Sequence, residues 1–320
     1  MRVGLADTSC RVEVTTRAHN ERRVVSIRWD VAASTSSRSS PSSPSIAGEI
    51  PQNIYRLRAP LRAKTLEVRR LTPEGAASDV RHIVLDIRGS AMRVLEGQSV
   101  GVVPPGVDEQ GKPHKLRLYS VASSRRGDDG ARGTLSLCVK RVVYRDEAGG
   151  TEHHGVASHH LCDLRVGDEV SLTGPVGKSF VLPDDERAPL IMVATGTGIA
   201  PFRGFLRYVH QERAPRWSAE TLLFYGCQRA SELSYYDELA ALPGRVITAC
   251  SREQQNEAGA RMYVQHRIAE HASEVQALID RGARVYVCGL KGMEQGVADA
   301  LGAVTMAALR ASRRFLVETY

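Results

Sequence analysis

Aromatic residues are scarce, at 5% of 320 residues, and no run of basic residues is interleaved with them. A stacking groove for nucleic acid is therefore not encoded, and nucleic acid is not an expected partner. No apolar stretch approaches the length of a membrane span, which excludes an integral membrane role of the helical kind. The six cysteines, at positions 10, 138, 162, 227, 250 and 288, form no CxxC pair, and no His stands at a metal-ligand spacing. Neither a disulfide framework nor a zinc site is predicted, and the thiols read as those of a reduced, intracellular protein. The GxGxxG dinucleotide fingerprint is also missing.

What is present is length and positive charge. A chain of 320 residues with 42% hydrophobic content exceeds what one core usually serves, so two domains are expected. The net charge of +7, from 43 Lys and Arg against 36 acidic residues, favours an acidic partner or an anionic ligand. Residues 1–52 stand apart. They carry seven Arg up to Arg38 and the tract Ser34-Thr35-Ser36-Ser37-Arg38-Ser39-Ser40-Pro41-Ser42-Ser43-Pro44-Ser45, a composition that buries no core and predicts a disordered extension. A cytoplasmic location is expected. A plastid is the alternative if this Arg- and Ser-rich start is a transit peptide, although Asp7, Glu13, Glu21 and Asp30 are many acids for one.

Over 53–183 the pattern is short β-type runs separated by turns: Thr65–Arg70, Arg81–Ile87, Ser99–Val103, Leu116–Ala122, Leu135–Arg141 and Glu169–Thr173, with one helix at about Ala157–Leu164. Six such strands predict a small antiparallel barrel. Over 184–320 strands alternate with helices. The strands are Leu190–Ala194, Thr221–Tyr225, Arg245–Ala249 and Arg284–Cys288, and the helices Pro201–Glu212, Ser234–Ala241, Tyr263–Ile279 and Met293–Ala311. That rhythm predicts a parallel sheet of nucleotide-binding type. The fold class is thus a six-stranded antiparallel β-barrel followed by an α/β parallel-sheet domain.

Several segments carry chemistry. Arg117-Leu118-Tyr119-Ser120 puts a cation, a ring and a hydroxyl on one strand, where a packing Tyr is the alternative reading. In a regular strand Tyr119 and Ser120 face opposite ways, so reaching one ligand together requires the strand to end or bend near Ser120. Thr195-Gly196-Thr197-Gly198-Ile199-Ala200-Pro201 follows an apolar strand and opens a helix, a place for phosphate on free N–H groups. Gly155-Val156-Ala157-Ser158 enters the lone barrel helix and offers either a second phosphate site or a Ser cap. Ser251 and Arg252, with Arg261 and Tyr263, can hold a dianionic phosphate or form a solvated Arg-rich loop. Cys288-Gly289-Leu290 ends the last predicted strand, where open α/β sheets bind ligands, and the chain stops at Glu318-Thr319-Tyr320.

Taken in order, Arg-Leu-Tyr-Ser, Cys-Val-Lys-Arg, Gly-x-x-Ser, Thr-Gly-Thr-Gly-Ile-Ala-Pro-Phe-Arg, Ser-Arg-Glu, Met-Tyr-x-Gln, Cys-Gly-Leu-Lys-Gly-Met-Glu and a terminal Tyr resemble plant-type ferredoxin–NADP reductase over 53–320. The resemblance implies FAD on the barrel and NADP(H) on the α/β domain, with a small acidic ferredoxin or flavodoxin as partner, no metal, and a monomer. It implies that Arg117 binds the FAD pyrophosphate, that Leu118 and Tyr119 line the flavin with Tyr119 stacked on the isoalloxazine, and that Ser120 bonds near its N5. Cys138, Val139 and Lys140 belong to the same site, Tyr144 stacks on the adenine, and Gly155, Val156, Ala157 and Ser158 receive the pyrophosphate. Ala157 replaces the family's usual Cys. For NADP(H), the resemblance implies Thr195, Gly196, Gly198 and Pro201 at the pyrophosphate, and Ser251, Arg252, Arg261, Tyr263 and Gln265 at the 2′-phosphate end. Cys288, Gly289 and Leu290 border the nicotinamide with Glu318, and Tyr320 covers the second flavin face. Ser120, Cys288, Glu318 and Tyr320 are the implied catalytic residues. Two alternatives share parts of this pattern: a reductase component of an oxygenase such as benzoyl-CoA epoxidase, and a non-catalytic NADP-binding sensor. The first is expected to carry N-terminal iron–sulfur clusters, for which Cys10 alone precedes Cys138.

Overall fold

A computed structural model describes residues 50–146, 150–214 and 216–320, together with the backbone of two strands nearer the start. Contacts divide the chain into two units, Met1–Pro44 and Ser45–Tyr320. In the first, β1 (Val12–Arg17) pairs antiparallel with β2 (Val24–Trp29), Val12 opposite Trp29. The expected disordered extension thus contains one paired element, built from the β-favouring runs VEVTTR and VVSIRW. The Ser-rich tract lies outside the described residues. The extension also ends earlier than 52, because Gln98 Nε2 donates to Pro51 O at 2.9 Å and Gln52 Nε2 to Gly177 O at 2.7 Å.

The second unit holds both remaining sheets. Strands β3 (Leu61–Arg70), β4 (Val80–Asp86), β5 (Ser99–Val103), β6 (Arg117–Ser120), β7 (Thr134–Lys140) and β10 (Glu169–Val176) make a six-stranded sheet in the order β6-β5-β10-β3-β4-β7, with antiparallel pairing throughout. Its two edges meet just past β6, where Val121 bridges Leu137 and Ala122 N–H donates to Ser136 O at 2.7 Å. That closure makes the sheet a barrel, filled by Ile83, Leu85, Val100, Val102, Leu135, Leu137, Val139 and Leu172. A hairpin of β8 (Val143–Arg145) and β9 (Glu152–His154) and the helix α1 (Val156–Cys162) follow β7. The hairpin was not among the predicted strands, since three-residue exposed runs give no periodic signal.

The second sheet is five-stranded and parallel. Its strands are β11 (Leu190–Thr195), β12 (Thr221–Cys227), β13 (Arg245–Cys250), β14 (Arg284–Gly289) and β15 (Phe315–Thr319), in the order β13-β12-β11-β14-β15. Alternation along β11 sends Leu190, Met192 and Ala194 into one core and Ile191 and Val193 into another, as expected for a sheet covered on both faces. Helices α2 (Ile199–Arg207), α3 (Tyr236–Ala240), α4 (Val264–Glu270), α5 (Ala272–Asp280), α6 (Met293–Leu301) and α7 (Ala303–Ala311) provide the cover. All four helices differ from expectation. The first starts two residues earlier than Pro201 and ends in a π turn at Tyr208–Glu212, the second starts two residues later than Ser234, the third breaks at His271, and the last breaks at Gly302, whose φ is +79°. The fifth strand, β15, was not predicted, and it is the element that carries Glu318 and leads into Tyr320.

The two sheets share one core. Val80, Ala122, Cys138 and Phe180 of the barrel half pack with Phe202, Phe205, Tyr235 and Tyr286 of the other. Phe180, Phe202, Phe205 and Tyr286 make ring contacts at 5.0–6.0 Å. Each such fully buried ring contributes about 1.5–3 kcal/mol over its exposed state, enough together to hold the halves in register.

Candidate active site

The two sheets present facing walls, and the predicted site residues fall on both. On the barrel wall, β6 ends at Ser120, as the strand argument required, with Arg117 and Leu118 exposed and Tyr119 and Ser120 half-buried. Tyr119 packs onto the barrel core near Cys162 of α1, and burial pushes its phenol up to about 12. It therefore stays neutral at any ordinary pH. The guanidinium of Arg117 has no carboxylate partner among the described residues and donates only to Leu116 O and Lys115 O, at 3.1 and 3.5 Å. A cation this free is available to an anionic ligand.

The start of α1 is built differently from expectation. Ser158 does not cap the helix: its Oγ donates to Gly155 O at 2.9 Å and accepts from Val142 N–H at 3.0 Å. A Cβ on Gly155 would meet Ser158 Oγ at 2.7 Å and Val142 Cβ at 3.0 Å, so only glycine fits. Ser158 thus ties the helix start to the hairpin that carries Tyr144, and Tyr144 stacks on His153 with centroids 5.1 Å apart and planes at 20°. Leu118, Val143, Tyr144 and Val156 all leave large apolar surfaces exposed, a density of exposed apolar groups that marks a ligand face. Cys138 and Val139 are not on that face. Both are buried, Cys138 in the shared core beneath Tyr235 and Val139 inside the barrel, so their side chains touch no ligand. Ala157 and Pro201 are likewise buried in packing.

On the other wall lies a cleft of about 480 Å³ at the C-terminal ends of the parallel strands. It brings together most of the predicted residues of this half: Thr195, Gly196, Ser251, Arg252, Arg261, Tyr263, Gln265, Leu290 and Tyr320, with Lys140 reaching in from β7. No carboxylate of the described residues pairs with Arg252, Arg261, Lys140 or Lys291, so the cleft is lined by uncompensated cations. The loop after β11 makes one 3₁₀ turn at Gly196–Gly198 before α2. Gly198 is forced by close approach, because a Cβ there would stand 2.1 Å from Cys288 O. The cleft fits a phosphorylated dinucleotide in volume, charge and donor set.

The terminal Tyr folds back onto the loop after β11. Tyr320 N–H donates to Gly289 O at 3.0 Å, while its hydroxyl donates to Thr195 O at 3.1 Å and lies 2.9 Å from Thr197 Oγ1. Cys288 and Glu318 are direct neighbours across β14 and β15, and burial raises both the thiol and the carboxyl, the latter to about 7. Glu318 also lies against Gly177 of the barrel half, its Oε1 4.0 Å from where a Cβ on Gly177 would stand. Several cleft residues escaped sequence reasoning, Thr197 and Glu232 among them. Thr197 holds Tyr320, and Glu232, 8% exposed, has a buried Oε1 with no hydrogen-bond partner. Only tertiary placement distinguishes that glutamate from a surface one.

The comparisons agree with this division. The family described as Oxidoreductase FAD-binding domain matches residues 69–180, and Oxidoreductase NAD-binding domain matches 192–299. The chain is 44% identical over 293 residues to a ferredoxin–NADP reductase of Synechocystis sp., covering 86% of this chain and 71% of that one. It is 43% identical over 291 residues to a ferredoxin–NADP reductase of Spirulina sp., covering 85% and 99%. A chloroplastic leaf isozyme of ferredoxin–NADP reductase from Arabidopsis thaliana is 44% identical over 256 residues, covering 77% and 71%. Among solved structures, ferredoxin-NADP+ reductase from Plasmodium falciparum superposes with a TM-score of 0.67 at 26% identity, covering 84% and 99%, and its form with 2′P-AMP with 0.68 at 25%, covering 84% and 99%.

Proposed function

The chain belongs to the ferredoxin–NADP reductase family, and from that premise we propose how its residues divide the work of moving electrons between ferredoxin and NADP(H). When bound, FAD supplies the chemistry, exchanging a hydride with the nicotinamide and single electrons with ferredoxin. The chain positions, shields and protonates. Arg117 and the Gly155–Ser158 start of α1 hold the FAD pyrophosphate, Tyr144 carries its adenine, and Tyr119 backs the isoalloxazine. The neutral phenol of Tyr119 keeps that surface apolar and excludes water. Ser120, at the strand's end, presents its hydroxyl to the reacting edge. Glu318, protonated up to about pH 7, holds a proton one strand away from the Cys288 thiol.

Thr195, Gly196 and Gly198 cradle the NADP pyrophosphate, and Ser251, Arg252, Arg261, Tyr263 and Gln265 hold the 2′-phosphate end, which selects NADP over NAD. Tyr320 occupies the place of the nicotinamide until it moves aside. One observation carries this reading: the Tyr320 hydroxyl is held by Thr195 and Thr197, so the ring at the chain's end is tied to the phosphate loop itself. We further propose a monomer in a reducing compartment, the cytoplasm being the simpler reading, and flavodoxin as a second acidic carrier drawn by the +7 charge.

The experiment is the assay of the purified protein with NADPH against ferredoxin and flavodoxin, at low and high salt, with FAD content and mass in solution measured alongside. A yellow monomer that reduces both carriers, less well at high salt, is expected. Ser120→Ala should keep its FAD and slow flavin reduction in stopped flow. An unchanged rate removes Ser120 from the proposed site, and salt-independent reduction removes the electrostatic docking.

A further inference from the structure

The last paired positions of β12 and β13 are Cys227 and Cys250, in register, with their sulfurs 3.6 Å apart. Both are free thiols, one half-buried and lining the cleft, the other 2% exposed behind it. Strand β13 leads directly into Ser251 and Arg252, assigned above to the 2′-phosphate, and the end of β12 holds both. Cys227 O accepts from Ser251 N–H at 3.0 Å and from Ser251 Oγ at 3.3 Å, and Gln228 O accepts from Arg252 N–H at 2.9 Å. We propose that Cys227 and Cys250 form a reversible disulfide that weakens NADP(H) binding by displacing Ser251 and Arg252. The proposal rests on the reading of this cleft as the NADP(H) site.

A disulfide needs a sulfur separation of about 2.05 Å, so closure draws the strand ends together by more than an ångström at the sulfurs. The movement has little room on the side of the sheet, where Gly226 is wedged between Val264 and Thr195. It passes instead to the loops carrying Gln228 and Ser251. With hydrogen peroxide as oxidant, the Cys227 sulfur attacks one oxygen, the O–O bond breaks, and the departing hydroxide takes the thiol proton, leaving a sulfenic acid and water. Cys250 Sγ then attacks that sulfur, the S–O bond breaks, and hydroxide leaves as a second water with the Cys250 proton. Two sulfurs have lost two electrons and one peroxide has become two waters.

Burial, then the neighbouring Cys250, push the Cys227 thiol up, and burial does the same to Cys250. The first step is therefore slow and answers sustained oxidant, while the second is favoured by the partner already in place. Reciprocity adds a signature: whatever factor the disulfide removes from nucleotide affinity, bound nucleotide must remove from disulfide formation.

The test treats the FAD-loaded enzyme with hydrogen peroxide, blocks free thiols, and digests with trypsin without reductant. A cross-link between the peptides spanning 217–229 and 246–252 is expected, diminished by saturating 2′,5′-ADP. The dissociation constant for 2′,5′-ADP should rise at least fivefold on oxidation and return with dithiothreitol. Cys227→Ser and Cys250→Ala should each remove the response. Absence of the cross-link after full conversion of accessible thiols, or a cross-link with unchanged affinity, overturns the proposal. A reduced enzyme that binds no 2′,5′-ADP overturns the cleft assignment itself, and is told apart because it needs no oxidation.

Discussion

The two seams between the barrel and the α/β sheet are built on opposite electrostatic plans. In the buried seam the charges are matched. Arg203, 3% exposed, lies 2.8 Å from Asp128 and 2.9 Å from Glu238, and His82 stands 2.9 Å from the Tyr235 hydroxyl and 3.4 Å from Asp128. Arg203 also donates to Ala122 O and lies over the Tyr235 ring. In the open cleft, Arg252, Arg261 and Lys291 have no acidic partner among the described residues. A buried charge without a partner is far more costly than an exposed one. The difference therefore separates residues that fix the two halves from residues kept ready for a ligand's phosphates.

The sharpest way to break the contrast is to remove a charge from each seam. Arg203→Ala takes the most buried guanidinium from Asp128 and Glu238, leaving Arg207 with both and His82 with Asp128, and should lower stability by up to about 3–5 kcal/mol, read as a shift in urea unfolding of the FAD-loaded protein. Burial would raise the Asp128 carboxyl, but His82 and Arg203 outweigh it and hold it far below the usual range. Its folded value being depressed, the stability it supplies is present above the unfolded pKa of about 3.9 and lost as pH falls below it. Arg203→Ala should reduce that acid-limb loss, with His82 keeping the rest. In the cleft, Arg252→Ala and Arg261→Ala should each weaken NADPH binding about 10- to 100-fold, the worth of a charge-assisted bond. NADH turnover and unfolding should hardly move. Stability losses in the cleft variants as large as that of Arg203→Ala would erase the distinction.

The same contrast explains what could be read in advance. The cleft was legible because its chemistry is local: Thr195-Gly196-Thr197, Ser251-Arg252 and Leu290-Lys291 each sit at or just past the end of one strand, where a parallel sheet gathers its loop residues. Arg117–Ser120 was legible for the same reason, including its end at Ser120. The buried seam was not. His82, Asp128, Arg203 and Tyr235 come from four distant segments, and nothing in the sequence pairs them. The strand Phe315–Thr319 was missed because a short run after a helix gives no period, and its place is set by β14 alone. The assignment of Cys138 to the cofactor face failed similarly. Motif order brought Cys138 beside Lys140, and the two do share one face of β7, but at Cys138 that face is covered by the shared core, while Lys140 at the strand's end reaches the cleft.

Between the two seams stand the last residues of the chain, and they respond more weakly. Tyr320→Ser removes a ring that occupies the proposed nicotinamide place, held by two hydrogen bonds worth about 1 kcal/mol each. NADP+ affinity should rise by about tenfold and the preference over NAD+ should relax; equal affinities in variant and parent would free Tyr320 of this role. Glu318 should have the smallest effect and the most diagnostic one. Burial raises its carboxyl to about 7, so the folded protein holds a proton there that the unfolded chain gives up near its ordinary value of about 4.3. Its contribution to stability is therefore complete below that value and lost as pH rises through about 7, the reverse of Asp128. Glu318→Gln should flatten stability against pH across that window and delete any limb near pH 7 from the hydride-transfer profile. A limb that persists in Glu318→Gln assigns the proton to another group, with Ser120 and the cleft's own residues left to orient the reaction.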